Sequence, residues 1–465
     1  MSAKFVSLDR DTPMMFPPDL REWLPDDSMA HFIIDAVDML DLQNFTINNR
    51  GSGSAQYPPS MMLSLLIYCY ATGRFSSREI ELATYHDVAV RYICGGSLHP
   101  DHDTICSFRL KNQAAFKEAF TKVLLLAREL GHLKKIGGIS VDGTKVKANA
   151  NKHSAVSYKR AGEMIEQLEL EVDELIRKAE DADSSPLEDG LTLPDEIKRR
   201  GDRKKALEHA RRIIEERYEE AKKEKLAEYE AKKAARDETR RNGKKPRGKD
   251  PQPPSATPPD DQQYNFTDEE SRIMKAGSGE HFEQSYNAQA SVDTEGSMLI
   301  VGRYVTNRVN DKLELDHCVE SVDFSVREIS TVCADTGYFS EKAVLKVENE
   351  NSGPKVYCAV EKQSHHRTVN DLLKKTEPVE PEDDVTIKEK MRYRLKTEVG
   401  RAIYKKRKET VEPVFGIIKS VMGFRSFLLR GLEKVAIEWA LATLAYNLKR
   451  LYKLCNGKFN PELSW

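Results

Sequence analysis

Apolar residues recur at helical spacing over residues 57 to 131, in three runs separated by short polar connections. The first run begins at Pro58. The second follows Ser76 and Glu79, which have the spacing of a capping box, and the third follows Asp103. The pattern therefore predicts a helical N-terminal region.

The third helix carries the segment HDTICSFRLKN, in which the helical period places Arg109 and Lys111 on the exposed side. Short helices with tight connections and exposed basic residues fit a helix-turn-helix-like module that contacts DNA phosphates. A helical bundle that only supports the next domain fits the same pattern equally well. On the first interpretation, Arg109 is a candidate phosphate-binding residue.

After residue 133 the periodicity changes from helix to strand. The strand-like runs are 136–141 with an alternation through 147, 285–293, 297–305, 329–334 and 355–361. The first run and its alternation predict a strand pair, and the next two runs predict a β-hairpin. Because helical patterns separate the later runs, we expect an α/β fold whose mixed sheet contains crossovers.

A long polar segment interrupts this strand pattern. Residues 163–182 place apolar side chains at alternating spacings of three and four, and a highly charged helical pattern runs over 198–236. These features predict an inserted helical hairpin with a coiled-coil seam. The Pro- and Lys-rich tract 242–259 has few large apolar residues, so we expect a mobile linker there.

Charge is segregated along the chain, although the 73 Lys and Arg nearly balance the 75 Asp and Glu to give a net charge of -2. Residues 199–249 contain 20 basic against 11 acidic residues, and residues 401–453 contain 12 against 4. Such segments can present basic faces to phosphate within a nearly neutral protein. Solvated helical faces explain the first segment equally simply.

The seven cysteines show no CxxC pair and no zinc-like spacing with histidines, which indicates reduced thiols. The longest apolar run, residues 61–71, is far shorter than the roughly 20 residues of a membrane span, and the N-terminus lacks a signal pattern. We therefore expect a soluble, cytoplasmic protein.

Two apolar runs end in an acid, Asp142 in GISVDGTK and Asp335 in STVCADTGYFS. Acidic groups at the ends of sheet strands can share a hard divalent cation such as Mg²⁺. An aspartate before Gly or Thr-Gly is also a common turn residue, and each position taken alone favours the turn. A third acid nearby would favour the metal site.

Glu412, in YKKRKETVEPVFGIIK, is the candidate for that third acid. At about 100° per residue, Tyr404, Lys408, Glu412 and Lys419 fall within about 80° of one another, and Arg407 falls about 60° to the other side of Tyr404. This face would bind a metal and adjacent phosphates. Because proline disfavours helix in the preceding residue, the helix either restarts or kinks at Pro413.

Across nearly its whole length the chain resembles the DDE transposases of bacterial insertion sequences. The two Asp segments match that family, and Tyr404, Arg407, Glu412 and Lys419 match its Y-x2-R-x3-E-x6-K signature, with one extra residue between Arg and Glu. The departure leaves Lys408 as an alternative to Arg407. The resemblance implies a ribonuclease-H-like fold in which Asp142, Asp335 and Glu412 bind two Mg²⁺ or Mn²⁺ ions.

The resemblance also implies a function: binding terminal inverted repeats, cutting the DNA and joining its 3′ hydroxyl ends to target DNA. Lys419 and either Arg407 or Lys408 would neutralise phosphates, and Tyr404 would position DNA without a covalent link. A homodimer would hold two ends together, associated with the nucleoid. The implied domains are a helical DNA-binding domain (1–132) and a ribonuclease-H-like DDE domain (133–455) that contains the helical insertion and linker (155–263).

Two other functions are compatible with the same residues. A ribonuclease-H-like DNA nuclease would use identical carboxylates but would not join strands. A catalytically inactive DNA-binding repressor would have lost part of the acidic triad. The complete triad and the Tyr-Arg-Glu-Lys segment favour the transposase.

Overall fold

A computed structural model describes residues 19–47, 56–181, 193–241, 250–275, 281–349, 352–361, 380–382 and 385–459. The helices are α1 (Met29–Asp38), α2 (Pro59–Ala71), α3 (Ser77–His86), α4 (Val88–Ile93), α5 (His102–Lys111), α6 (Gln113–Glu129), α7 (Tyr158–Asp181), α8 (Leu193–Arg241), α9 (Leu315–Glu320), α10 (Glu341–Glu348), α11 (Ile387–Lys396), α12 (Glu398–Glu409), α13 (Val411–Gly416) and α14 (Leu432–Leu454). The strands are β1 (Ile136–Lys147), β2 (Ala155–Ser157), β3 (Gln263–Asn265), β4 (Arg272–Lys275), β5 (Phe282–Asp293), β6 (Ile300–Thr306), β7 (Glu328–Ala334) and β8 (Lys355–Cys358).

The main sheet has the strand order β6, β5, β1, β7, β8, with β4 pairing with the first residues of β5. β5 is antiparallel to both β6 and β1, whereas β1, β7 and β8 run parallel. Three antiparallel strands followed by two parallel ones form the mixed sheet of a ribonuclease-H-like fold. The predicted α/β class and the β5–β6 hairpin are therefore confirmed.

β1 is one continuous strand, so the strand pair predicted over residues 136–147 is wrong. Its residues pair with β5 without interruption from Ile139 to Lys147. Gly143, which suggested a turn, instead lies within the ladder opposite Gln289. The partner strand supplies the backbone hydrogen bonds that a local turn would otherwise have provided.

Helix α14 joins the sheet to the N-terminal helices. It is apolar on nearly all sides, as expected of a helix buried in the centre of a protein. Trp439 Nε1 donates to the carbonyl of Gln289 on β5 (3.1 Å), and the Asn447 amide exchanges two hydrogen bonds with the backbone of Ile300 on β6 (2.9 and 2.8 Å). One hydrophobic core spans the N-terminal helices, the sheet and α14.

Helices α7 and α8 pack against each other as the predicted hairpin, beside the small β2–β3 sheet. The hairpin has a separate core composed of Val156, Ala161, Leu168, Leu207, Ala210, Ile214 and Tyr264. Residues 242–249 of the predicted linker lie outside the described residues. The proposed domain boundaries stay a prediction.

The N-terminal helices contain the predicted capping box, in which Ser76 and Glu79 cap α3 reciprocally. The predicted exposure of Arg109 is wrong, because its side chain on α5 is only 3% exposed. Its Nη1 donates to the Tyr70 hydroxyl and to the Phe75 carbonyl, both at 3.0 Å. A neighbouring helix covers the side of α5 that periodicity alone assigned to solvent, so Arg109 is not available to a phosphate.

Across the described ranges, no helix has the length and apolarity needed to cross a bilayer. The seven cysteines, all within those ranges, are free thiols, as their spacing predicted.

The burial of Arg109 predicts a large effect on stability. Replacing it by Ala leaves the Tyr70 hydroxyl and the Phe75 carbonyl without their partner, and we expect the free energy of unfolding to fall by about 2–3 kcal/mol. Lys111→Ala, at an exposed position on the same helix, is the matched control and should change little. Chemical denaturation of the purified variants measures both, and equal effects would contradict the assignment.

Candidate active site

Asp142 and Asp335 lie side by side on two parallel strands. The last pair between β1 and β7 joins Ser140 to Cys333, and each acid follows two residues later on its own strand. Asp335 directly follows the end of β7, as predicted, whereas Asp142 lies inside β1 rather than at its end. The site forms there because β7 stops while β1 continues along β5.

The two carboxylates influence each other electrostatically. Burial raises the pKa of Asp142 to about 7, and the negative charge of Asp335 adds to this effect. Arg407 and the Gly143 N–H, which donates to Asp142 Oδ1 at 2.9 Å, act in the opposite direction. The Asp335 carboxylate accepts a 2.7 Å hydrogen bond from the Gly337 N–H, which fixes its orientation. The pair thus concentrates negative charge where water is scarce, a position suited to a cation.

Arg407 is the cation that the structure places there. Its Nη2 lies 2.7 Å from Glu412 Oε1, and its Nη1 lies 3.5 Å from Asp142 Oδ2. Burial would lower the pKa of Arg407, but the charges of Asp142 and Glu412 outweigh burial and raise it. One guanidinium therefore connects the first and third predicted acids.

A break in the helix explains why Arg407, rather than Lys408, approaches Glu412. On a continuous helix Arg407 and Glu412 would be about 140° apart, and Lys408 would be the closer residue. Instead α12 ends at Glu409, and Thr410 adopts φ -119° and ψ -80° before α13 begins. Pro413 falls in the first turn of α13, where amide hydrogens have no helical acceptor. Lys408 is exposed to solvent, whereas Arg407 contacts two of the predicted acids.

Tyr404 and Lys419 lie on the borders of the site. Burial raises the pKa of Tyr404, so its phenol stays protonated, in keeping with a role in positioning rather than covalent attack. Lys419 follows α13 in a π-helical turn, and its Nζ donates to the Lys145 carbonyl at 2.7 Å. Burial, followed by the charge of Lys145, lowers the pKa of Lys419.

Asp311 is a further acid of this region that sequence reasoning missed. Its Oδ1 accepts hydrogen bonds from the side-chain amides of Asn287 (2.6 Å) and Gln289 (2.8 Å), and Lys145 Nζ lies 3.8 Å away. A Cβ on Gly143 would collide with these same groups, so glycine is needed at that position. The side-chain amides of Asn287 and Gln289 on β5 are fully buried. Buried polar groups require partners, so these two amides point to a polar partner such as Asp311.

The donors suit a hard divalent ion, since carboxylate oxygens are the ligands that Mg²⁺ and Mn²⁺ prefer. Asp142 and Asp335 are adjacent, and burial and repulsion disfavour two bare charges there. Among the described side chains, however, no three His, Cys, Asp or Glu residues are gathered closely enough to hold a metal. The third acid, Glu412, is bound to Arg407 instead.

Comparison with known protein families identifies the family of this chain. The family model described as Transposase DDE domain matches residues 237–448, and that described as Transposase domain (DUF772) matches residues 18–111. The chain belongs to the DDE transposases of the insertion-sequence type. Neither a curated protein nor a solved structure matches it significantly.

The match to the DDE domain contains Asp335 and Glu412 but begins after Asp142. Asp142 therefore lies outside the matched region in sequence. In the fold it lies beside that region, because β1 pairs in parallel with β7. Members of this family generally use divalent metal ions, in keeping with the oxygen donors described above.

The raised pKa of Asp142 predicts that the stability of the metal-free transposase depends on pH. Its folded-state pKa of about 7 exceeds the ordinary value of 3.8, so stability is lost as the pH rises through 7. Asp142→Asn cannot ionise, and its gain in melting temperature over the wild type should be roughly 2 °C larger at pH 8 than at pH 5.

Thermal unfolding in EDTA measures this difference. Asp103→Asn, whose side chain is 91% exposed, is the control and should give no such trend. A pH-independent effect of Asp142→Asn would contradict the burial of a charged carboxylate.

Proposed function

We propose that this transposase binds the terminal inverted repeats of its element, cuts the DNA there and joins the 3′ hydroxyl ends to target DNA. The observation that supports the proposal best is the arrangement of Asp142 and Asp335 on adjacent parallel strands, with Arg407 connecting Asp142 to Glu412. We also propose that the N-terminal helical domain takes part in DNA binding and that a homodimer holds the two ends together.

Asp142, Asp335 and Glu412 would hold two Mg²⁺ or Mn²⁺ ions. Such ions supply an activated attacking oxygen, from water or a 3′ hydroxyl, and stabilisation of the leaving oxygen. Glu412 is 46% exposed and can leave Arg407 for this role without entering the protein interior. The guanidinium of Arg407 would then be available to a phosphate, which it can bind through two parallel hydrogen bonds.

The remaining basic groups would hold the DNA strand next to the acids. Lys419 is fixed by its hydrogen bond to the Lys145 carbonyl, so its ammonium keeps a constant distance from β1. Tyr404, protonated and partly buried, offers a ring and a hydroxyl to the DNA without becoming a nucleophile. Because water or the 3′ hydroxyl attacks directly, no covalent intermediate with the protein is needed.

The acids are tested by isosteric amide substitutions. Asp142→Asn, Asp335→Asn and Glu412→Gln should each lower cleavage of element-end DNA by more than about 100-fold, because each removes a charged metal ligand. Binding of the same DNA in EDTA should be nearly unchanged. Glu409→Gln is the matched control, since Glu409 is exposed and paired only with Lys405 at the end of α12. Full activity in any of the three would remove that residue from the site.

The same assay separates the transposase from the two other functions. Cleavage with a joined product is expected in Mg²⁺ with target DNA present. Hydrolysis without joining would favour a nuclease, and binding without cleavage would favour a repressor.

Arg407 and Lys408 can be compared directly, because they are adjacent and carry the same charge. Arg407→Gln should lower cleavage about 10- to 100-fold, as expected for the loss of charge-assisted hydrogen bonds to a phosphate. Lys408→Gln should stay within about twofold, as is usual for an exposed charge. Cleavage rates at saturating DNA measure both, and the reverse order would assign the phosphate contact to Lys408.

A further inference from the structure

A second cleft lies on the edge of the sheet, separate from the acidic site. It has a volume of about 870 Å³ and lies between α6, the edge strand β6 and α9. Among its lining residues are the cations Lys117 and Arg303, the acids Glu314 and Asp323, and the aromatic Phe324. None of these residues takes part in the function proposed above.

Arg303 is the unusual member of this cleft. Its Cζ lies 4.7 Å from the centroid of the Phe120 ring, and its Nε is enclosed without a hydrogen-bond partner. Within the described part of the chain, the side chain of Arg303 forms no hydrogen bond or ion pair. Burial lowers the pKa of Arg303 to about 10, so it remains charged at neutral pH. A cation–π contact offsets only part of the cost of enclosing an unpaired charge.

The acids that line the cleft, Glu314, Glu320 and Asp323, bind groups other than Arg303. Glu320 accepts from Lys346 Nζ at 3.3 Å. Glu314 accepts from the Tyr304 hydroxyl (2.8 Å) and pairs with Arg308 (3.4 Å). Asp323 accepts from the backbone and hydroxyl of Ser325, at 2.9 and 2.7 Å. Lys117 adds a second, solvent-exposed cation on α6. The cleft thus contains a guanidinium that no described acidic side chain neutralises.

We propose that this cleft binds a phosphate of the DNA backbone, through the guanidinium of Arg303. The inference rests on the proposed function, in which DNA is bound next to the acids. Asp142, Ala290 and Arg303 are directly opposite one another on β1, β5 and β6. With strands about 4.8 Å apart, the Cα atoms of Asp142 and Arg303 are about 10 Å apart, with the buried Ala290 between them.

Phe324 favours nucleic acid over a free phosphate ion. Its side chain is 78% exposed beside the cleft, although it is large and apolar. An exposed aromatic ring next to a phosphate-binding cation can stack on a base, the combination that single-stranded DNA sites use. Free phosphate would gain nothing from this ring.

The test uses the full-length protein and Arg303→Met, which removes the charge and keeps the aliphatic length over Phe120. Binding to a labelled element-end duplex is measured in EDTA over a range of salt concentrations. We expect the affinity to fall at least about fivefold and the slope of log K against log salt to decrease by about 0.9, the value for one phosphate contact. The melting temperature should be unchanged or higher, because an unpaired, partly buried charge has been removed.

Lys396→Met is the matched control, since Lys396 is exposed on α11 beside the opposite edge strand β8. It should leave affinity and salt slope near those of the wild type. Wild-type affinity and slope in Arg303→Met would overturn the inference, as would a lowered melting temperature that accounts for the loss of binding. A third result would also overturn it: inorganic phosphate stabilises the wild type but not Arg303→Met, while the substitution leaves DNA binding unaffected. Failure of the wild type itself to bind the duplex would instead contradict the proposed function.

Discussion

The active site depends on the attraction between one guanidinium and carboxylates that repel each other. Asp142 and Asp335 are brought together by parallel strands, and burial makes their joint ionisation unfavourable. Arg407 supplies the opposite charge and connects Asp142 to Glu412 on another element. Without such a cation, the strand ends and helix α13 would carry uncompensated negative charge.

This attraction depends on the backbone, which places Arg407 and the carboxylates close to one another. Two acids follow the same β1–β7 pair by two residues each, and the break at Thr410 turns Glu412 back toward Arg407. Helix α14 holds β5 and β6 through hydrogen bonds from Trp439 and Asn447, which fixes the sheet against the N-terminal helices. The N-terminal helices, the sheet and the site helices therefore share one core, and a change in α14 would reach the acids through β5.

Much of this fold could be predicted from local patterns. The β5–β6 hairpin and the capping box at Ser76 depend on residues close in sequence. The predictions failed where residues distant in sequence determine the exposure or the pairing of a residue. Arg109 was assigned to solvent because periodicity does not tell which helix covers which face, and Asp142 was assigned to a strand end because pairing with β5 cannot be seen locally. Lys408 was kept as an alternative to Arg407 because the sequence does not show that the helix breaks at Thr410.

The inserted hairpin has consequences for how the protein unfolds and varies. Among the described residues, the buried core of the hairpin shares no residue with the core beneath the sheet. Two separate cores make two cooperative units, and the smaller one can open at a lower free energy than the whole. We therefore expect amide hydrogens of α7 and α8 to exchange before those of the sheet. The hairpin is thus the segment of this chain whose length can change most freely while the geometry of catalysis is preserved.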